Sequence, residues 1–280
     1  MKHLLVPTNF LDYANNAAEY ALKFALDYGA RITLFHTYHI PVVDPLVPTE
    51  YLAEMATSAE KNALDKMQEL KELLKAEDVD NKVSIDYECT MGFAADEIIG
   101  AAERLGADMI LMGTRHVQTV QRILVGSVMG AVLTNSKVPV LVVPANVTGF
   151  YPIRNIAFAS QYNDVDDIKF INKAMDFARS LGAKLSCVHI ELKDEEVNET
   201  AKLVAIKDEY VHQEQMGLIS FENIQAEDIV DGLAQYIAYH NVDMTVMVTH
   251  KRSFLQKIFD RSLTKKMAFQ TNVPLIAFHD

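Results

Sequence analysis

Apolar positions along this 280-residue chain fall into two spacings that alternate from its start. Leu4–Val6 is a short apolar run closed by Pro7, the pattern of a strand buried on both faces. From Asp12 to Tyr28, Ala14, Ala17, Ala18, Ala21, Leu22, Phe24 and Ala25 recur at helical intervals, and Gly29 ends that helix as a C-cap glycine does. Arg31–Thr37 reads as the next strand, and the three prolines of His39–Thr49 make that segment a loop. From Glu50 to about Ala76 the stripe Leu52, Met55, Ala56, Ala59, Ala63, Met67, Leu70 predicts a long amphipathic helix. Lys82–Glu88 alternates as a strand, Ala94–Leu105 is helical, Met109–Met112 is another doubly buried run, and Lys137–Val143 closes the series. Strands alternating with helices imply right-handed crossovers and a mainly parallel sheet.

The pattern then begins again. Asn155–Ser160 resembles the first strand and Asp164–Ser180 the first helix. Leu181-Gly182-Ala183-Lys184 before LSCVH repeats Tyr28-Gly29-Ala30-Arg31 before ITLFH, which pairs His189 with His36. Towards the end the offset is a constant 135 residues: Asp108 with Asp243, Ser127 with Ser262, Pro139 with Pro274. An ungapped register of that length points to duplication. Gly149 and Pro152 punctuate a linker at Ala145–Pro152, so the expected domains are residues 1–146 and 152–280, each an α/β unit around a parallel sheet.

Asp108–Val128 carries the candidate chemistry. Its strand breaks at Gly113, and a polar loop closes on Gly126-Ser127 ahead of a helical pattern. Ser127 is a good N-cap, and the bare N–H groups of a helix start favour an anion. Strand, glycine, loop, Gly-Ser and helix therefore form a candidate phosphate cradle; an ordinary strand–loop–helix connection is the alternative. Across the duplication Gly92 becomes Glu227, Gly113 becomes Val248 and Gly126 becomes Arg261. Their joint loss suggests a shared duty, close approach of backbone to a ligand, though loop drift would leave the same trace. Lys251–Lys266 holds six basic residues against one acid, which reads as a solvated face or as an anion site built from side chains.

Composition narrows the classes. Half the residues are hydrophobic, enough for a sizeable core. A net charge of -12 argues against non-specific nucleic-acid binding. No apolar run reaches the ~18 residues of a membrane span and no leader opens the chain, so a cytoplasmic protein without a membrane partner is expected. Cys89 and Cys187 read as two buried, reduced thiols without zinc spacing. No Gly-x-Ser-x-Gly elbow occurs, nor a Gly-x-Gly-x-x-Gly after the first strand. His36 and His189 read as structural strand-end histidines, Asp86 and Glu88 as a solvated edge, and Met55, Met67, Met109 and Met244 as core filler. No catalytic residue emerges.

The motifs resemble those of the universal stress protein family. That family carries a glycine, two residues, a second glycine, nine residues, then Gly-Ser or Gly-Thr; here Gly113, Thr114-Arg115, His116, nine residues and Gly126-Ser127 follow. LLVPTNF, LFHT, MGTR and VPVLVVP are similar to its first, second, fourth and fifth strands. The likeness covers nearly all of both halves, as in a tandem member. It implies two doubly wound five-stranded parallel α/β domains of the adenine nucleotide α-hydrolase-like kind. It also implies ATP or another adenine nucleotide as ligand, with or without magnesium. Base and ribose would lie near Pro7, Thr8, Asn9 and Thr37, Met112 would line the sugar, and phosphates would meet Gly113, Arg115, Gly126, Ser127 and Val128.

Two departures bear on that site. Asn9 stands where ATP-binding members have aspartate, and His116 replaces the second glycine, where its imidazolium could pair with phosphate or its bulk narrow the loop. In the second copy Gln161, Val248 and Arg261 stand at the motif places and only Ser262 persists, so that half is expected to have lost the site. The resemblance further implies that Val138–Val143 and Val273–Phe278 pair across the domain boundary, an intramolecular pseudo-dimer that could also form a homodimer. The expected function is nucleotide binding in stress response, with at most slow ATP hydrolysis. An interaction module that recruits a protein partner without nucleotide is the alternative.

Overall fold

The computed structural model describes residues 2–40, 48–114, 128–160, 165–192, 201–249, 267 and 272–279. They divide into two compact units between Phe150 and Tyr151. In the first, β1 (His3–Pro7), α1 (Asp12–Tyr28), β2 (Arg31–Tyr38), α2 (Thr49–Glu77), β3 (Ile85–Met91), α3 (Ala94–Arg104), β4 (Met109–Thr114), α4 (Val128–Asn135) and β5 (Val140–Pro144) follow in order. Its strands lie in the order β3-β2-β1-β4-β5 with parallel pairing throughout. The chain steps outward from β1 to β3, then returns past β1 to β4. That reversal makes β1/β4 a topological switch point. Every residue of β1, β4 and β5 is buried, which is why these strands read as unbroken apolar runs.

Several boundaries follow the apolar pattern closely. α1 spans Asp12–Tyr28, and Gly29 caps it in the left-handed conformation (φ 70°) with its N–H on the Ala25 carbonyl. Others shift for local reasons. β3 begins at Ile85 rather than Lys82, because the Asp78 carboxylate accepts from the N–H groups of Lys82 (3.0 Å) and Val83 (2.8 Å) and holds them in a turn. β5 begins at Val140 rather than Lys137, after a turn in which Ser136 Oγ accepts from Val138 N–H (3.0 Å). β4 does not break at Gly113: the strand continues to Thr114, with Gly113 opposite Val143.

The second unit repeats the winding. It comprises β6 (Asn155–Ala159), α5 (Val165–Leu181), β7 (Lys184–Leu192), α6 (Ala201–Gln215), β8 (Ile219–Ala226), α7 (Ile229–Tyr239), β9 (Met244–Thr249) and β10 (Leu275–His279). The strand order is β8-β7-β6-β9-β10, again parallel. Equivalent hydrogen bonds recur at equivalent places in the two units. Asp108 Oδ2 accepts from the N–H groups of Lys2 (2.6 Å) and His3 (3.0 Å), and Asp243 Oδ2 from those of Arg154 and Asn155 (both 2.8 Å). His36 Nδ1 bonds the Thr8 carbonyl (2.8 Å) and His189 Nδ1 that of Ser160 (3.0 Å), the structural role expected of both rings. The second crossover accounts for most of the length difference, since α2 has 29 residues and α6 has 15.

His3 has no counterpart in the second unit, where Asn155 stands in its place. An arginine can only donate, so Arg31 (2.9 Å) meets a bare Nδ1, and the ring proton sits on Nε2 towards Thr33 Oγ1 (2.8 Å). Burial, then the Arg31 charge, lowers the His3 pKa below its ordinary 6.5, despite the carbonyls of Leu105 and Gly106. The unfolded chain therefore binds a proton more readily than the native one. Its contribution to stability is complete above pH 6.5 and is lost as pH falls below that value towards the folded pKa. Urea unfolding from pH 7.5 down to 5.0 should show falling stability, at most about 1.4 kcal/mol per pH unit from this residue. His3→Asn should flatten the slope, and an unchanged slope would show that His3 does not set it.

Candidate functional site

β1 runs out at Pro7 into a tightly held corner. Thr8 is 6% exposed, and its N–H carries the ladder one step further to the Phe35 carbonyl (2.8 Å). Thr8 Oγ1 then accepts from Phe10 N–H (3.0 Å), and Asn9 Oδ1 from Leu11 N–H (3.2 Å). These side-chain bonds fold the backbone over, with Phe10 in the left-handed region at φ 63°. That conformation is uncommon for a bulky residue and costs of order 1–3 kcal/mol. The Phe10 ring lies 4.5 Å from the His36 ring, and Lys66 Nζ sits 5.6 Å from the Phe10 centroid. Burial lowers the His36 pKa, helped by Lys66 and opposed by the Thr8 carbonyl. A neutral ring with its proton on Nδ1 satisfies the Thr8 carbonyl.

Around this corner the fold assembles much of what the motif predicted. Pro7, Thr8 and Asn9 end β1, Thr37 lies half-buried near the end of β2, and Met112 and Gly113 lie near the end of β4. All are at carboxyl ends of adjacent parallel strands, on both sides of the switch point, where open α/β sheets bind ligands. The Thr114 carbonyl accepts from Ala145 N–H (2.9 Å), tying the end of β4 to the segment after β5. Val128, 40% exposed, begins α4. Arg115, His116, Gly126 and Ser127 lie outside the described residues, as does the whole basic stretch Lys251–Lys266.

Gly113 has a packing duty that its motif position did not announce. A β-carbon there would stand 2.0 Å from the Tyr13 carbonyl oxygen and 3.1 Å from the Ala17 side chain. Its bareness lets α1 lie directly on β4. Gly92 also has a packing reason, because its missing side chain leaves room for Glu97, whose carboxyl oxygen would be 2.6 Å from a β-carbon. At the 135-residue offset Glu227 stands at the glycine place and Gly232 at the glutamate place. A β-carbon on Gly232 would meet the side chains of Ala226 (2.7 Å) and Ile190 (3.0 Å). Gly92 thus has a packing contact of its own, beside the ligand approach that its loss from the second copy suggested.

The remaining chemical candidates resolve as scaffold. On the edge strand β3, exposed Asp86 pairs with Lys71 (3.9 Å) and half-buried Glu88 with Arg104. Cys187 is buried, but Cys89 is only half-buried because β3 is an edge. Burial, with Glu60 and Glu88 nearby, pushes the Cys89 thiol up to about 11, so it is a poor nucleophile. Met67, Met109 and Met244 are in the core, and Met55 is half-buried. Among the described residues no group of three or more His, Cys, Asp or Glu could hold a metal ion, and no helix is long and apolar enough to cross a membrane. Sequence reasoning missed Phe10, Tyr13 and Lys66 beside the corner. Asn9 two residues before Leu11 was a readable turn signal, whereas no spacing in the α2 stripe marked Lys66.

Residues 1–144 match the profile of the universal stress protein family. A universal stress protein of Methanocaldococcus jannaschii is 33% identical over 150 residues, which cover 51% of this chain and 81% of that protein. A second from the same archaeon is 29% identical over 157 residues, covering 51% of this chain and 94% of its own. The crystal structure of a universal stress protein from Archaeoglobus fulgidus shares the fold over 99% of this chain and 96% of its own, with a TM-score of 0.68 at 19% identity. With more than half its length inside the family profile and both units wound as the family motif implied, the chain belongs to the universal stress protein family.

Proposed function

We propose that the first unit binds an adenine nucleotide at the carboxyl ends of β1 and β4 and serves stress response as a ligand-responsive protein without strong catalysis. One observation carries this reading: Pro7, Thr8, Asn9, Thr37, Met112 and Gly113 converge on the switch point of the sheet, with the start of α4 following the β4 loop. Base and ribose would rest on the β1–β2 side. Phosphates would lie towards Arg115, His116, Gly126, Ser127 and Val128, where a helix start favours negative charge. Any magnesium would come with the phosphates. The second unit has Val248, 6% exposed, at the place of Gly113, and Arg261 at the place of Gly126, and it carries no nucleotide in this reading.

The discriminating variant is Gly126→Arg, the exchange the second copy itself makes. Gly113→Val is unsuitable because it would break α1–β4 packing whether or not a ligand binds. Calorimetry with ATP, ADP and AMP should show binding to the wild-type chain and at least a tenfold loss in Gly126→Arg with unchanged thermal stability. Silence from wild type with all three nucleotides would refute the reading and leave a partner-recruiting surface as the function.

A further inference from the structure

We infer that Asn9 opens the base subsite to 6-oxopurine nucleotides, so that inosine and guanosine triphosphates bind at least as tightly as ATP. The inference rests on the nucleotide reading of the first unit and concerns which base that site takes.

The orientation of the Asn9 amide is fixed by its neighbours. A backbone N–H can only donate, so the atom facing Leu11 N–H at 3.2 Å is the oxygen, Oδ1. Nδ2 therefore points the other way, to Tyr13 Oη at 2.5 Å. The amide nitrogen carries two protons, and Tyr13 takes one. Asn9 is exposed at the very end of β1, so the second proton is what it offers a ligand. An aspartate held by the same turn would offer an acceptor instead. One substitution thus reverses the polarity of the group at this corner without disturbing the turn.

A planar ring belongs beside Asn9 because the two ends of the crevice differ in character. The β4–α4 side offers a helix start, which suits phosphate. The β1–β2 side offers the paired rings of Phe10 and His36, 4.5 Å apart, which suit a base. Adenine presents an amino donor at position 6 beside the acceptor N7, whereas guanine and hypoxanthine present two acceptors, O6 and N7. With the position-6 edge of the base turned to Asn9, as this inference requires, the amide donor meets O6 well and meets the adenine amino group donor-to-donor. A site that loses one hydrogen bond and gains such a mismatch discriminates by roughly tenfold.

The test is calorimetric titration of the full chain and its Asn9→Asp variant with ATP, ITP and GTP. ITP differs from ATP at position 6 and lacks the 2-amino group of GTP, so it isolates the contact. Wild type should bind ITP and GTP at least as tightly as ATP, and Asn9→Asp should shift the ATP:ITP affinity ratio towards ATP by about tenfold. Wild type that prefers ATP, or a ratio unchanged in Asn9→Asp, overturns the inference while nucleotide binding stands. No binding of any of the three nucleotides by wild type overturns the nucleotide reading itself, and this inference with it.

Discussion

Replacing Gly113 by alanine is expected to destabilise the first unit by about 3 kcal/mol or more, at the upper end of overpacking effects. The added carbon would lie 2.0 Å from the Tyr13 carbonyl oxygen, and that obstacle is helix backbone, not a side chain that can rotate away. Relief requires α1 to lift off β4 or β4 to bend, and β4 is buried at every position between two partners. Denaturant unfolding followed by far-UV dichroism would detect the loss as a lower midpoint, with thermal unfolding brought down by roughly 6–12 °C. A midpoint within about 0.5 kcal/mol of wild type would mean that the close approach of α1 to β4 does not hold.

Phe24→Ala is expected to cost about 3–5 kcal/mol, the usual range for removing a fully buried ring. Phe24 is 0% exposed on α1, with the rings of Tyr28 at 4.7 Å, Phe150 at 6.0 Å and Tyr20 at 6.4 Å. Phe150 is the last residue of the first unit, so this cluster also pins the outgoing chain onto α1. Near-UV dichroism should weaken together with the drop in unfolding midpoint, since one aromatic ring is removed and the three around it lose its packing. Phe24→Leu should recover most of the midpoint but little of the aromatic signal. Equal loss in both variants would point to a specific ring requirement instead of volume.

Much of the fold was legible because local pattern and tertiary demand agreed. α1 shows its apolar face at helical spacing and its glycine stop in sequence, and both appear in place. The central strands are apolar throughout because helices cover them on both sides. The onset of β3 was not legible: the alternation of Lys82–Glu88 looks strand-like, but the Asp78 carboxylate claims the Lys82 and Val83 N–H groups first. That competition depends on a side-chain orientation that no periodicity encodes. For the site, strand ends and motif spacing located the corner, and the topology brought those ends together.

The reasons assigned to the glycines fared differently. Sequence comparison between the halves correctly noticed that Gly92 and Gly113 are absent from the second copy, but it could not see what stood opposite them. Tyr13 is a hundred residues from Gly113 in the chain, and its carbonyl oxygen carries no sequence signature at all. Glu97 is near Gly92 in the chain, yet that its carboxyl group fills the space beside that glycine is seen only once the side chain is placed in space.

The unequal second crossovers carry a consequence for how a chain of two like units can vary in length. α2 exceeds α6 by about four turns of helix, yet from the third helix of the first unit onward the described elements match those of the second at one offset of 135 residues. Length can be gained or shed where a connection spans the outer strands, because nothing downstream must be re-registered. Chains with this two-unit winding should therefore vary in size at this one span and remain nearly isometric elsewhere.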